Sequence, residues 1–222
     1  MSKIVFYDTE TTGTGTRVNE DGKEYKVEEQ ITQIAAAAFS TGPTWQKLDA
    51  FERKLIFNVE QADPEALKIN HYDPEVWARE AVPPEVAAAD FAKFVDRFRS
   101  VHRVGKDSGK SYQVTRMAGH NVLGFDNEWV ELWLKSCGYL VKGGKWFSGD
   151  IWGALDTRST ASEWELVTGD HTPNGSRRLE DLAAHFGIKY AAHDALADVM
   201  ANARVLKTML DRMQAARQNS EG

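Results

Sequence analysis

The sequence predicts an α/β domain, and three observations predict it. A run of β-branched and aromatic residues opens the chain, two more strand-like segments follow it after turns, and capped amphipathic helices fill much of the remainder. At 222 residues the length fits one domain, read as residues 1–217, with a frayed polar tail over residues 218–222. A hydrophobic content of 42% is enough for a packed core. The single cysteine, Cys137, leaves no internal disulfide and fits a reducing compartment. No stretch reaches the apolar length of a membrane span, and the first strand begins where a signal peptide would lie, so the expectation is a cytoplasmic protein with no membrane association.

The elements can be justified in order. Lys3 to Gly13 reads as a buried strand ending in a Thr-Thr-Gly turn, and Thr14 to Glu29 as a hairpin excursion. Gln30 to Ser40 and Leu48 to Asn58 are two more strands, and three strands separated by turns suggest an antiparallel meander. Four consecutive alanines in the second of them would let a helix pack close. Asp63-Pro64-Glu65 starts a short helix, with Asp as cap and Pro in the first turn. Pro83-Pro84-Glu85 starts another, with Val86, Phe91, Phe94, Val95 and Phe98 on its apolar face. Arg103 to Lys110 reads as a solvated basic loop, with phosphate contact as its alternative role. Tyr112 to Ala118 is a strand, and a helix from Asp126 to Cys137 stops at Gly138. Gly138 to Ser176 is read as irregular, apart from a short strand around Trp146 to Trp152 that feeds a helix near Asp150 or Asp156. A helix over Arg178 to Phe186 and a long one from Asp194 to about Met213 complete the chain.

Five residues stand out chemically. Ile4, Phe6, Asp8 and Glu10 alternate along one strand and share a face, so two carboxylates end an apolar row. Like charges against a core are costly unless a cation neutralises them, and hard oxygen ligands suit Mg²⁺ or Mn²⁺. Asp126 falls in the middle of the stripe formed by Trp129, Val130, Trp133 and Cys137, where a carboxylate needs a partner or a metal. His193 is best set just before the last helix, with Asp194 as cap and Asp198 one turn inside. A net charge of −6, from 27 basic and 33 acidic residues, argues against a protein that coats nucleic acid with a broad basic surface. It does not argue against an enzyme that grips one strand end. Trp146, Trp152 and Trp164 lie among glycines and charges and are candidates for stacking on unpaired bases.

Together, Phe6-Tyr7-Asp8-Thr9-Glu10-Thr11-Thr12-Gly13, His120-Asn121-Val122-Leu123-Gly124-Phe125-Asp126 and His193-Asp194-Ala195-Leu196-Ala197-Asp198 resemble the three motifs of the DEDDh family of 3′ to 5′ exonucleases. The stretch Arg178 to Ile188 looks most like the exodeoxyribonuclease I branch, alongside ribonuclease T and the polymerase III proofreading subunit. The resemblance implies a ribonuclease H-like α/β fold, a mixed five-stranded sheet with helices on both faces. It also implies two Mg²⁺ ions, replaceable by Mn²⁺, held by Asp8, Glu10, Asp126 and Asp198, with Asp8 bridging and His193 deprotonating the attacking water. Thr11, Thr12 and Gly13 would touch the terminal nucleotide, with Asn121 and Phe125 on its other side. The implied reaction releases nucleoside 5′-monophosphates from a single-stranded DNA 3′ end. The alternatives are trimming of small RNAs, proofreading beside a polymerase partner, and an inactive nuclease fold used as a binding module.

Overall fold

The computed structural model describes residues 2–18, 21, 23–106 and 109–220. Strand β1 (Ser2–Thr11) is flanked by β4 (Ile31–Thr41), which runs antiparallel to it, and β4 by β5 (Gln46–Lys54); along the chain β1 is followed by a separate hairpin, β2 (Thr16–Val18) and β3 (Glu24–Lys26), before β4. On its other side β1 pairs in parallel with β7 (Ser111–Gly119) through Val5–Met117 and Phe6–Ala118. β6 (Val101–Val104) lies antiparallel to the first half of β7, and β8 (Gly149–Asp156) parallel to its second half. Among the described residues this makes a mixed six-stranded sheet. The additional strand is β6. The first two residues of the expected basic loop, Arg103 and Val104, are strand, while Asp107 and Ser108 lie outside the described residues.

Alternation along the strands divides the core in two. Val5 and Tyr7 point to one side, where α3 (Pro84–Asp96) and α4 (Asp126–Ser136) bury Phe91, Phe94, Trp129 and Trp133. Ile4 and Phe6 point to the other, against α5 (Thr157–Thr168), α6 (Leu179–His185) and α7 (Ala195–Ser220). The alanines of β4 split the same way, Ala36 and Ala38 to the first core and Ala35 and Ala37 to the second.

Several expectations need correction. β5 ends at Lys54, and Val59–Gln61 is a 3-10 turn. Besides the expected α1 (Pro64–Ile69), a helix α2 (Pro74–Glu80) forms, because Asp73-Pro74-Glu75 repeats the start signal of Asp63-Pro64-Glu65; Asp73 accepts the N–H groups of Glu75 and Val76. Val86 is exposed and does not join the apolar face of α3. The short strand expected around Trp146 to Trp152 runs instead over Gly149–Asp156 and feeds α5 as expected, but Trp164 of α5 is completely buried between Phe186 and His185, so this tryptophan is core and not a stacking platform. α7 continues to Ser220, so residues 218–220 extend the helix where a frayed tail was expected, and residues 221–222 lie outside the described ones. Among the described residues, no helix is long and apolar enough to cross a membrane.

Candidate active site

The candidate site lies at the carboxyl ends of the parallel strands β1 and β7, where a crevice opens in sheets of this kind. A cavity of about 450 Å³ there is lined by residues of all three motifs. Asp8 and Glu10 reach it from the end of β1. Asp198 reaches it from the first turn of α7, which begins where Asp194 accepts the Ala197 N–H at 2.8 Å. One carboxylate oxygen from each of Asp8, Glu10 and Asp198 lies within 4.8 Å of the others. Among the described residues, neither the Asp8 nor the Glu10 side chain accepts a hydrogen bond.

Asp126 starts α4 and lies 4% exposed, yet it is partly satisfied: the Thr9 N–H donates to it at 3.0 Å and the Thr9 hydroxyl at 2.7 Å. The neighbouring Asn127 pins that helix start, accepting the Tyr7 hydroxyl and donating to the Ile151 carbonyl at 2.8 Å. Two further motif residues hold left-handed backbone, Asn121 at φ 59° and His193 at φ 63°, a conformation rare outside glycine and found at functional sites. The turn aims the His193 N–H at Asp198, 2.9 Å from its Oδ2, while the exposed imidazole lies with Nε2 3.7 Å from Glu180 Oε1.

The electrostatics follow from this crowding. Burial, then the charges of Asp126, Glu10 and Asp198, hold the Asp8 carboxyl well above the usual range. Burial and the Asp198 charge push Glu10 up to about 8. Burial raises Asp126 to about 6 despite the two Thr9 donors, and Asp198 to about 6 despite the Tyr190 hydroxyl and the His193 N–H. Without a cation, this cluster holds protons that isolated carboxylates would have released at neutral pH.

The structure brings Asp8, Glu10, Asp126, Asn121, Phe125, His193 and Asp198 to one cavity. Thr11, Thr12 and Gly13 sit beside it but are buried in their own turn. The Thr11 hydroxyl donates to the Gly13 carbonyl at 2.6 Å, the Thr12 hydroxyl donates to Glu29 at 2.6 Å, and Asn70 donates to the Thr11 carbonyl at 2.9 Å.

Sequence reasoning gave no site role to several polar residues that also line the cavity. Arg158, on the first turn of α5, donates from Nη1 to Asn121 Oδ1 at 3.1 Å, and among the described residues no carboxylate pairs with it. Tyr190 presents its hydroxyl toward Asp198, and burial and the Asp198 charge hold that phenol well above its ordinary range. His120 is kept neutral by burial, its ring lowered to about 4, and Arg178 pairs with Asp181 at 2.9 Å. Of Asp150 and Asp156, it is Asp156 that starts the helix. It accepts the N–H groups of Arg158 and Ser159, at 2.9 and 3.3 Å, and also those of Asn121 and Leu123, both at 3.1 Å. That carboxylate fastens the second motif to α5.

Comparison with known proteins accords with the site. The profile of the RNase T exonuclease family matches residues 5–206, a span that contains all five motif residues. The chain belongs to this exonuclease family. Among solved structures it is similar to the zinc-bound form of the E. coli exonuclease I complex with single-stranded DNA, at 22% identity and a TM-score of 0.67 over 96% of this chain and 42% of that one. It is also similar to E. coli exonuclease I with a dT13 oligonucleotide (19% identity, TM-score 0.64, 100% of this chain and 43% of that one). Exonuclease I from Methylocaldum szegediense matches at 21% identity with a TM-score of 0.65 over 99% of this chain and 41% of that one. At such identities the likeness is one of fold, the ribonuclease H-like arrangement common to the family, and the chain spans about two-fifths of the length of these exonuclease I chains. Among curated proteins, none matches the chain.

Proposed function

We propose that this exonuclease-family protein is a divalent-metal-dependent 3′ to 5′ exonuclease that releases nucleoside 5′-monophosphates from single-stranded DNA ends. The observation that carries the reading is the convergence of Asp8, Glu10 and Asp198 oxygens within 4.8 Å, with no hydrogen-bond donor to the Asp8 or Glu10 side chain among the described residues. Three hard anionic oxygens in that space fit a small divalent cation, and burial, with mutual repulsion added at Asp8 and Glu10, raises their proton affinities in a way that such a cation relieves. Asp8, Glu10 and Asp198 would hold it, with Asp126 completing the set for a second ion. Mg²⁺ is the expected cofactor, with Mn²⁺ as substitute. Bound there, the metal would polarise the scissile phosphate and stabilise charge on the departing 3′ oxygen.

The chain's own groups supply the rest. The His193 imidazole takes the proton of the attacking water, and Glu180, 3.7 Å from its Nε2, stabilises the imidazolium that results. Phe125 and Asn121 form the wall against the terminal nucleotide. Arg158, steadied by Asn121, is a cation free to meet a substrate phosphate in a cavity otherwise rich in carboxylates. Thr11, Thr12 and Gly13 contribute by holding the end of β1 in shape and by presenting backbone to the last nucleotide. The single-stranded DNA bound in the similar exonuclease I structures favours DNA over RNA as substrate.

The test is the product pattern from 5′-labelled and 3′-labelled DNA and RNA oligonucleotides with Mg²⁺, Mn²⁺ or EDTA. The expected result is progressive shortening of the 5′-labelled DNA strand, immediate release of the 3′ label as mononucleotide, and no reaction in EDTA. Release from the 5′ end, or turnover indifferent to EDTA, would overturn the proposal.

A further inference from the structure

The net charge of −6 conceals a basic region at the opposite end of the sheet from the carboxylates. Residues 101–116 and 138–149 together carry six lysines and arginines and one acid, Asp107. Strand register gathers part of this region on one face. Arg103 lies opposite Tyr112 in the β6–β7 pair, and Asp150 lies opposite Arg116 in the β7–β8 pair. Since Tyr112 and Arg116 are four residues apart on one strand, all four share a face. Arg103 pairs with Asp150 at 2.9 Å, which uses the acid and leaves Arg116 without a carboxylate partner among the described residues. Beside them Trp146 stacks edge-on against Tyr112 with ring centroids 5.8 Å apart. These rings are not core: Trp146 is 60% exposed and Tyr112 40%.

We infer that this face, built by Tyr112, Trp146 and Arg116, is a second contact for single-stranded nucleic acid, remote from the active centre. Exposed aromatic rings offer stacking surface to any unpaired base, and flanking cations follow the phosphates, which is the chemistry of sequence-tolerant strand binding. Charge complementarity selects a polyanion as occupant in a protein whose remaining surface is acidic. Seven residues separate Tyr112 from Gly119 at the catalytic end of β7, a distance of about 23 Å at 3.3 Å per residue. The face would therefore hold the strand several nucleotides away from the end being cut. The choice of nucleic acid as occupant rests on the nuclease reading above.

The experiment measures affinity and turnover separately, on the full chain, with oligodeoxythymidylates of about 3 and about 20 nucleotides. Affinity is read by anisotropy in an Asp8→Asn background in EDTA, where no cleavage occurs. The double variant Tyr112→Ala, Trp146→Ala should weaken binding of the longer strand about tenfold. It should leave the cleavage rate of the shorter one unchanged. Arg116→Gln, which does not touch the rings, should lower the slope of log affinity against log salt by about 1 for the longer strand. Unchanged affinity for the longer strand in both variants would overturn the inference, as would loss of an acidic-peptide probe with oligonucleotide binding intact. If the protein cuts both lengths with equal KM, this inference fails while the nuclease reading stands. If it cuts neither but binds the longer strand through these residues, the reverse holds.

Discussion

Carboxylates at the ends of β8 and β1 are treated in opposite ways. At the start of α5, Asp156 is surrounded by donors: four backbone N–H groups from two segments converge on it. At the end of β1, buried Glu10 and half-buried Asp8 face other carboxylates. The first arrangement is self-sufficient and its product is architecture, since it joins a loop to a helix. The second is incomplete as protein alone, and its energy becomes favourable when positive charge arrives. Burial of an acid therefore does not by itself mark a functional group; burial without donors does.

The contrast can be broken most decisively at Asp8. Asp8→Ala should reduce turnover by roughly 10⁴-fold or more with an unchanged circular dichroism spectrum. Retention of even a tenth of the wild-type rate would remove Asp8 from the catalytic set. His193→Ala comes next, with a loss of about 10² to 10⁴ in catalytic rate. Because His193 is not among the cation's expected ligands, the thermal stabilisation conferred by Mg²⁺ should survive that substitution, and a variant that lost both would make His193 a structural element of the cation site instead.

Stability measurements sharpen the same contrast with opposite signs. Asp156→Ala strands four N–H groups and should cost roughly 2–4 kcal/mol, with Asp156→Asn milder because it keeps an acceptor. Asp8→Asn in EDTA should instead raise the melting temperature, by about 2–4 °C for each kcal/mol of repulsion relieved. Equal destabilisation by both changes would erase the distinction between the two sets. The smallest effect is the pH dependence. Glu10 binds its proton up to about 8 in the folded protein, against an ordinary value of 4.5, so across that interval the folded state holds more protons than the unfolded one. In EDTA, stability should be greatest below pH 4.5 as far as this group is concerned, and should decline as pH rises toward 8. Saturating Mg²⁺ should flatten that decline, and a melting temperature indifferent to Mg²⁺ across the interval would count against the cation site.

Much of the site was readable because its residues violate local rules. Asp126 interrupts an apolar stripe, and Asp8 and Glu10 end an apolar row, so each asked for a partner before any contact was known. Asp156 and Arg158 broke no rule. A capping aspartate followed by a polar helix start is ordinary, and its grip on Asn121 and Leu123 exists only because β8 brings it beside the end of β7. The strand β6 was hidden for a related reason: Val101-His102-Arg103-Val104 has too little apolar alternation to announce itself, and its pairing with β7 supplies the order. By contrast α2 was legible from Asp73-Pro74-Glu75 and passed unread. Trp164 was misassigned because glycines and charges on both sides of it mimic a loop, while the turn geometry of α5 carries it inward.

The alanines of β4 set a mechanical tolerance for the site. Asp8 stands directly across from Ala35, and Ala35 and Ala37 face the core that holds Val199, Ala203 and Leu206 of α7. Ala35 and Ala37 thus give β4 a thin contact with this core beside Asp8, and β4 is the antiparallel neighbour that positions the end of β1. Valine at position 35 would overfill that contact, at a cost of about 1–3 kcal/mol, and would lift α7 outward. A displacement near 1 Å is minor for a fold but large for ligands that must converge within 4.8 Å. The least reactive side chains in the sheet therefore act as its shims, and a substitution there should be felt first as a weaker grip on metal.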